Sequence, residues 1–225
     1  MKKLIFKKQL CIQGLFILLS LCCSTQTLSE DEGAADASLS MIPHRPLLKW
    51  EQALQKLESR FELTEEEPAV IVSIPDQELR VVRGEQTLRL YKVSTSKYGP
   101  GNRAGSHRTP LGTHRISSKI GQDARFGSIF ISRCNTGRTA QIFRDTGDAR
   151  DDLKTTRILW LDGLEPGINK GEGVDTFRRL IYIHGTPEEG LIGTPASKGC
   201  IRMRNGDVIE LFEMVQEGTL VEIYN

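Results

Sequence analysis

This 225-residue chain has no long apolar run, no excess of one charge and no internal repeat, and its histidines show no metal-ligand spacing. Each absence closes off a class of function. The apolar stretch from Ile12 to Cys23 is 12 residues, short against the ~20 of a membrane-spanning helix. It follows Lys2, Lys3, Lys7 and Lys8, so residues 1–24 read as an export signal and not as a span. The formal net charge is +1; loss of residues 1–24 removes four lysines and no acid, leaving 26 cations against 29 acids, a net of −3. A mature chain of that balance is not expected to bind nucleic acid by bulk electrostatics. His107 and His114 lie seven residues apart with no Cys, Asp or Glu in ligand spacing, so no metal is expected. Cysteine is scarce outside the signal: Cys11, Cys22 and Cys23 belong to it, leaving Cys134 and Cys200.

What is present concentrates near the C-terminus. Ile183-His184-Gly185-Thr186 is followed by Ser197-Lys198-Gly199-Cys200-Ile201-Arg202-Met203, with His184 and Cys200 each beside a glycine. A thiol reacts as its thiolate, and a nearby imidazole is the usual means of producing one. Glycine beside each reactive residue lets backbone N–H groups approach a substrate carbonyl. Alone, either residue has a plainer reading: Cys200 as a small buried hydrophobe and His184 as a satisfied core residue. Lys198, Arg202 and Arg204 around Cys200 suit a thiolate better than a buried plug. A nucleophile must be free, so no disulfide between Cys134 and Cys200 is expected. Because His184 precedes Cys200, the order is opposite to that of papain-like proteases.

The two motifs resemble the signature of the L,D-transpeptidase (YkuD-like) catalytic domain family. Upstream, Val93-Ser94-Thr95-Ser96 and Arg108-Thr109-Pro110-Leu111-Gly112-Thr113 are similar to two further family segments. Lys198 stands where many members carry a second histidine. The resemblance covers residues 68–225. It implies a mainly β fold of sandwich-like mixed sheets with one or two helices and no cofactor. It also implies Cys200 as nucleophile, His184 as base, Gly199 and Gly185 beside them, and Arg202, Ser197 and Lys198 toward substrate. The implied substrate is a peptidoglycan tetrapeptide stem, cleaved between diaminopimelate and D-Ala. The implied acceptor is another diaminopimelate amine, giving a 3→3 crosslink, or a lysine of a lipoprotein that becomes anchored to the wall. With water as acceptor the enzyme would be an L,D-carboxypeptidase, and a non-catalytic wall-binding module is the third reading. Acylation by carbapenems is implied as well.

Three further site expectations follow from the residues. His184 needs an orienting partner, and with no acid adjacent the backbone carbonyl near Gly185 is expected to serve. Imidazolium beside thiolate is expected to lower the Cys200 pKa toward neutrality. Within 178–204, Arg178, Arg179, Lys198, Arg202 and Arg204 face two acids, Glu188 and Glu189, a balance suited to substrate carboxylates or simply to a solvated surface. Tyr182 and Thr186 read as packing and loop-shaping residues, and Asp162 and Asp175 as exposed-loop acids.

Along the chain, residues 1–24 are the expected signal, 25–67 a linker with a prefix helix, and 68–225 the catalytic domain. Leu19-Ser20-Leu21-Cys22 partly resembles a lipobox, so either lipidation at Cys22 or Cys23, or plain cleavage near Ser24, fits the periplasm or cell envelope. Membrane contact is expected only through signal or lipid. Leu47, Trp50, Leu54, Leu57 and Phe61 recur at helical spacing. Strands are expected near 70–74, 79–82, 88–93, 113–117, 127–132, 140–143, 157–161, 180–184 and 219–224. A helix capped at Asn205 should carry Val208, Leu211, Phe212 and Val215 inward.

Overall fold

Alternation of apolar residues from Ala69 onward builds a sheet, and the computed structural model, which describes residues 46–146 and 152–225, shows how it is covered. The expected signal and most of the linker lie outside the described residues. Helix α1 (Lys49–Phe61) precedes three strands in a meander, β1 (Pro68–Ser73), β2 (Glu78–Arg83) and β3 (Gln86–Lys92). After a long loop come β4 (Gly112–Ile120), the hairpin β5 (Ser128–Ile131) and β6 (Cys134–Thr139), and the long β7 (Lys154–Gly163). The chain closes with β8 (Tyr182–Gly185), β9 (Ile201–Met203), α2 (Asn205–Met214) and β10 (Leu220–Tyr224). All ten strands join one mixed sheet, in the order β3-β2-β1-β10-β4-β7-β5-β6, with β8 and β9 branching from β7. β1 pairs with β10, and β8 with β9, in parallel; the other ladders are antiparallel. The fold is mainly β, as expected.

β1 is buried on both faces because each face has its own cover. Val70 and Val72 enter the main core with Leu159, Leu161, Ile183, Ile201, Met203 and the α2 residues Val208, Leu211 and Phe212. Ala69 and Ile71 meet Ala53, Leu54 and Leu57 of α1 on the other side. Burying an aliphatic side chain stabilises by roughly 1.5–3 kcal/mol, so this double cover makes β1 a rigid spine. The helical stripe reads as expected apart from Leu47, which precedes α1 and is exposed. Lys56 adds polar docking, its ammonium 2.9 Å from Glu222 and 3.1 Å from Glu165.

Three expectations need correction. No strand forms at 140–143; the hairpin partner of β5 is β6, every residue of which is exposed. A strand with no buried face carries no alternation to read. The turn places Ser132 and Arg133 at φ 47° and 68°, the left-handed pair a two-residue hairpin needs. Asp162 is not in an exposed loop. It is buried on β7, 3.1 Å from Arg115 and 2.5 Å from Lys170. The cap of α2 is Arg204, while Asn205 begins the helix. The Asn205 amide accepts from Thr155 (2.6 Å) and Thr156 (2.5 Å) and donates to the Thr186 carbonyl (2.8 Å), which ties α2 to the base of β7 and β8. The short β9 lies inside the motif around Cys200, where three residues are too few for a periodic signal.

Candidate active site

The parallel pairing of β8 and β9 brings the two motifs together. His184 stands opposite Arg202, and Cys200 lies two residues before Arg202. Side chains alternate along strands, so Cys200, Arg202 and His184 share one face. Cys200 packs there against Tyr182, Ile158 and Phe130, and Ile158 is itself opposite His184 on β7.

Backbone shape around Cys200 is held by short-range hydrogen bonds. Ser197 Oγ donates to the Cys200 carbonyl (2.6 Å) and accepts from the Gly199 N–H (3.2 Å). Gly199 has φ 120°, a left-handed value, and a Cβ there would come 3.2 Å from the Ile181 side chain. Residues 93–96 and 108–113 form the outer wall of this loop. Ser94 exchanges backbone hydrogen bonds with Arg202 (2.9 Å each), Thr95 O accepts from the Ser197 N–H (3.0 Å), and Thr109 Oγ1 donates to Gly199 O (3.1 Å). The upstream segments of the family resemblance therefore brace the loop that carries Cys200. Gly185 is required for close approach: a Cβ would meet Thr155 O at 2.6 Å and Asn205 Oδ1 at 2.7 Å.

His184 is fully buried, and its Nδ1 lies 2.7 Å from the Gly185 carbonyl oxygen. A carbonyl only accepts, so Nδ1 carries the proton and Nε2 is left with its lone pair. The orienting carbonyl is the one expected from the sequence. Nε2 is buried with no hydrogen-bond partner among the described residues. Leaving such an atom unpaired costs about 1–3 kcal/mol, the kind of cost that marks functional sites. Cys200 is nearly buried, its thiol 3.6 Å from the Leu180 carbonyl, and Leu180 itself holds a left-handed φ of 58°.

Electrostatics reverse one expectation. Burial pushes the Cys200 thiol up to about 11, against the opposing pull of the Lys154 ammonium. Burial pushes the His184 imidazole down to about 3, with Lys154 adding to the effect and the Asp152 carboxylate opposing it. Both shifts favour the uncharged forms, thiol and neutral imidazole, because both charged forms lose hydration. Alkylation of Cys200 by iodoacetamide, followed by peptide mass spectrometry, is expected to rise with pH with a midpoint well above the ~8.5 of a free thiol. A pH-independent rate persisting below pH 7 would require the ion pair instead.

Arg202 is clamped between carboxylates, 2.7 Å from Asp152 and 2.6 Å from Glu188. Burial alone would raise the Asp152 pKa, but Arg202, His184 and Lys154 hold it below the usual carboxylate value. Arg202 thus sits in a buried charge cluster behind His184 and does not line the cavity over the sulfur. Of the five cations expected to form a basic patch, this one is neutralised. Ser197 is likewise engaged with the loop backbone, whereas Lys198 is exposed beside Cys200. Thr186 shapes the loop through Oγ1, which accepts from the Glu188 N–H (3.2 Å).

A cavity of ≈ 490 Å³ opens at Cys200, walled by Phe130, Arg133, Asp152, Lys154, Tyr182 and Lys198 among others. A second, of ≈ 330 Å³, shares Arg179, Ile181 and Lys198 with it and adds His107 and Arg178. Tyr182, expected only to pack, therefore also lines the site; its hydroxyl accepts from Arg133 (3.2 Å). Arg133, Asp152 and Lys154 were not legible as site residues, since they arrive from a hairpin and a strand entrance with no motif. His114 is satisfied at both nitrogens, by Gly112 O (2.9 Å) and Thr176 Oγ1 (3.0 Å). Among the described residues no group of three or more His, Cys, Asp or Glu side chains is arranged to hold a metal ion. Cys134 and Cys200 are both free.

Comparison with known proteins adds the following. The family model described as the L,D-transpeptidase catalytic domain (YkuD) matches residues 67–223. The YkuD protein of Bacillus subtilis, provisionally named an L,D-transpeptidase, is 58% identical over 41 residues, which cover 18% of this chain and 25% of that protein. The ErfK/SrfK protein of Salmonella typhimurium, likewise provisionally named, is 51% identical over 45 residues, 20% of this chain and 15% of that one. The aligned stretches span a quarter or less of these curated relatives. The solved structure of an L,D-transpeptidase from Mycobacterium smegmatis has a TM-score of 0.44 at 18% identity, covering 71% of this chain and 59% of that one.

Proposed function

We propose, since the chain belongs to the L,D-transpeptidase catalytic-domain family, that it is an exported cysteine acyltransferase acting on peptidoglycan stem peptides in the periplasm or cell envelope. The observation that carries this reading is His184, whose Nδ1 is committed to the Gly185 carbonyl and whose buried Nε2 is unpartnered on the same sheet face as Cys200. A thiol on the same sheet face as such a lone pair supplies the two groups that an activated nucleophile needs.

In this reading Nε2 takes the Cys200 proton as Sγ attacks the carbonyl of the third stem residue. A C–S bond forms, the C–N bond to D-Ala breaks, and His184 passes its proton to the leaving amine. An acceptor amine then attacks the thioester; a C–N bond forms, the C–S bond breaks, and the proton returns to sulfur. With both groups neutral at rest, proton transfer accompanies attack instead of preceding it. The Gly199 N–H is turned to Ser197 Oγ, so the Cys200 N–H is the donor we assign to the developing oxyanion, a role worth about 3 kcal/mol in other acyl transfers.

Incubating the mature chain with a purified disaccharide-tetrapeptide and analysing products by mass spectrometry tests the reading. Release of D-Ala with a crosslinked dimer is the expected result, and the same release with a lysine-bearing lipoprotein acceptor would extend it to anchoring. Tripeptide alone would make the chain an L,D-carboxypeptidase, and no release at all would leave only a wall-binding module.

A further inference from the structure

We propose that Arg133, Lys154, Arg179 and Lys198, which line the Cys200 cavity, form a carboxylate-reading subsite that selects acyl donors whose acyl-giving residue keeps a free carboxylate on its side chain and rejects the carboxamide form. The inference rests on the acyl-transfer reading above and deepens it to a donor class.

What distinguishes these four cations is how they are held. Arg133 donates to the Tyr182 hydroxyl at 3.2 Å and lies 4.5 Å above the Trp160 ring. Lys154 donates to the Asp152 carbonyl at 2.8 Å. Arg179 donates to the carbonyls of Gly101 (3.2 Å), Asn102 (2.9 Å) and Arg108 (2.5 Å). Every one of these hydrogen-bond acceptors is neutral, so the side chains are positioned without a carboxylate in contact, although Lys154 also feels the nearby Asp152 charge. Lys198 stands exposed at the rim. None of the four has an ion-pair partner among the described residues. Asp152, the carboxylate that lines the same wall among the described residues, is spent on Arg202 at 2.7 Å.

Four positive charges converging on one partly enclosed space repel one another, and an anion placed among them relieves that repulsion. Arginine and lysine both donate in charge-assisted geometry to carboxylates, and a carboxamide supplies only one neutral acceptor and adds two N–H groups facing like-signed donors. Discrimination therefore comes from attraction to one form and repulsion of the other. Two of the four residues, Arg133 and Lys154, come from outside the basic stretch 178–204, so strand packing assembles the subsite.

The test compares two tetrapeptide donors that differ only by a carboxylate or a carboxamide on the side chain of the third residue, with D-Ala release as readout. The amidated donor is expected to show a KM about ten- to a hundred-fold higher with kcat little changed. Arg133→Met and, separately, Lys198→Met should shrink that ratio by raising KM for the carboxylate donor alone; Lys154, whose charge also acts on Cys200 and His184, is left in place. Lys198 is exposed, so its variant tests the subsite even if Arg133→Met fails to fold. Equal kcat/KM for the two donors, or variants that slow both donors alike, would overturn the subsite and leave the enzyme reading standing. No release from either donor would overturn the acyl-transfer reading, and the subsite with it.

Discussion

Cys200→Ala is expected to abolish turnover, with D-Ala release falling by about four to six orders of magnitude, the usual loss when a covalent nucleophile is removed. The fold should survive. Cys200 is 7% exposed, bears no ion pair among the described residues, and its sulfur makes only weak hydrogen bonds to the backbone, the one to the Leu180 carbonyl being 3.6 Å, so the stability change should stay within about 1 kcal/mol. Thermal unfolding followed by circular dichroism, run beside the activity assay, separates the two effects. An inactive variant that has also unfolded would say nothing of chemistry, and an active one would remove Cys200 from the mechanism. Cys200→Ser should be nearly as inactive, because His184 would have to deprotonate an alcohol far weaker as an acid than a thiol.

The largest stability effect is expected at Arg202. Arg202→Met leaves Asp152 and Glu188 facing each other without their shared cation, and removal of one member of a buried ion cluster costs about 3–5 kcal/mol. For a domain of this size that is a fall in Tm of roughly 10 °C, measurable by calorimetry. In the native chain the Asp152 pKa is held below its ordinary value, so its contribution is present above the unfolded carboxylate pKa and lost as pH falls through the folded one. In the variant, burial meets less opposition, with Arg202 gone and Lys154 and His184 remaining, so the protonated acid gains. The gap between the two proteins should therefore be widest near pH 7 and narrow toward pH 4. Adding Asp152→Asn and Glu188→Gln to Arg202→Met should recover much of the loss, since the uncompensated charges are then gone. A gap that does not change with pH would mean that packing, not charge, is what Arg202 supplies.

Much of this site could be read from local sequence, for a physical reason. His184 and Cys200 sit in contiguous motifs joined by adjacent parallel strands, and the nearest carbonyl to His184 Nδ1 belongs to its own neighbour, Gly185. The sheet was legible where one or both faces are buried, as in β1, and invisible in β6, whose residues all face outward. Burial was the quantity that local reading lacked. Lys198 and Arg202 beside Cys200 suggested a thiolate-stabilising field, yet Lys198 is exposed, Arg202 is neutralised by two acids, and desolvation keeps both members of the pair uncharged. Asp162 was misread for the same reason: its charge is matched by Arg115, 47 residues away in sequence, and by Lys170. Arg133 and Lys154 reach the cavity only through the β5–β6 turn and the entrance of β7, which no pattern near His184 or Cys200 encodes.

The central claim is that Cys200 carries the acyl group, and the direct measurement is the intact mass of the protein during reaction with the tetrapeptide donor, followed by peptide mapping. The expected result is a transient adduct equal to the donor less D-Ala, located on the peptide containing Cys200 and discharged when an amine acceptor is added. D-Ala release with no adduct on that peptide, or an adduct that maps to Cys134 instead, would contradict it.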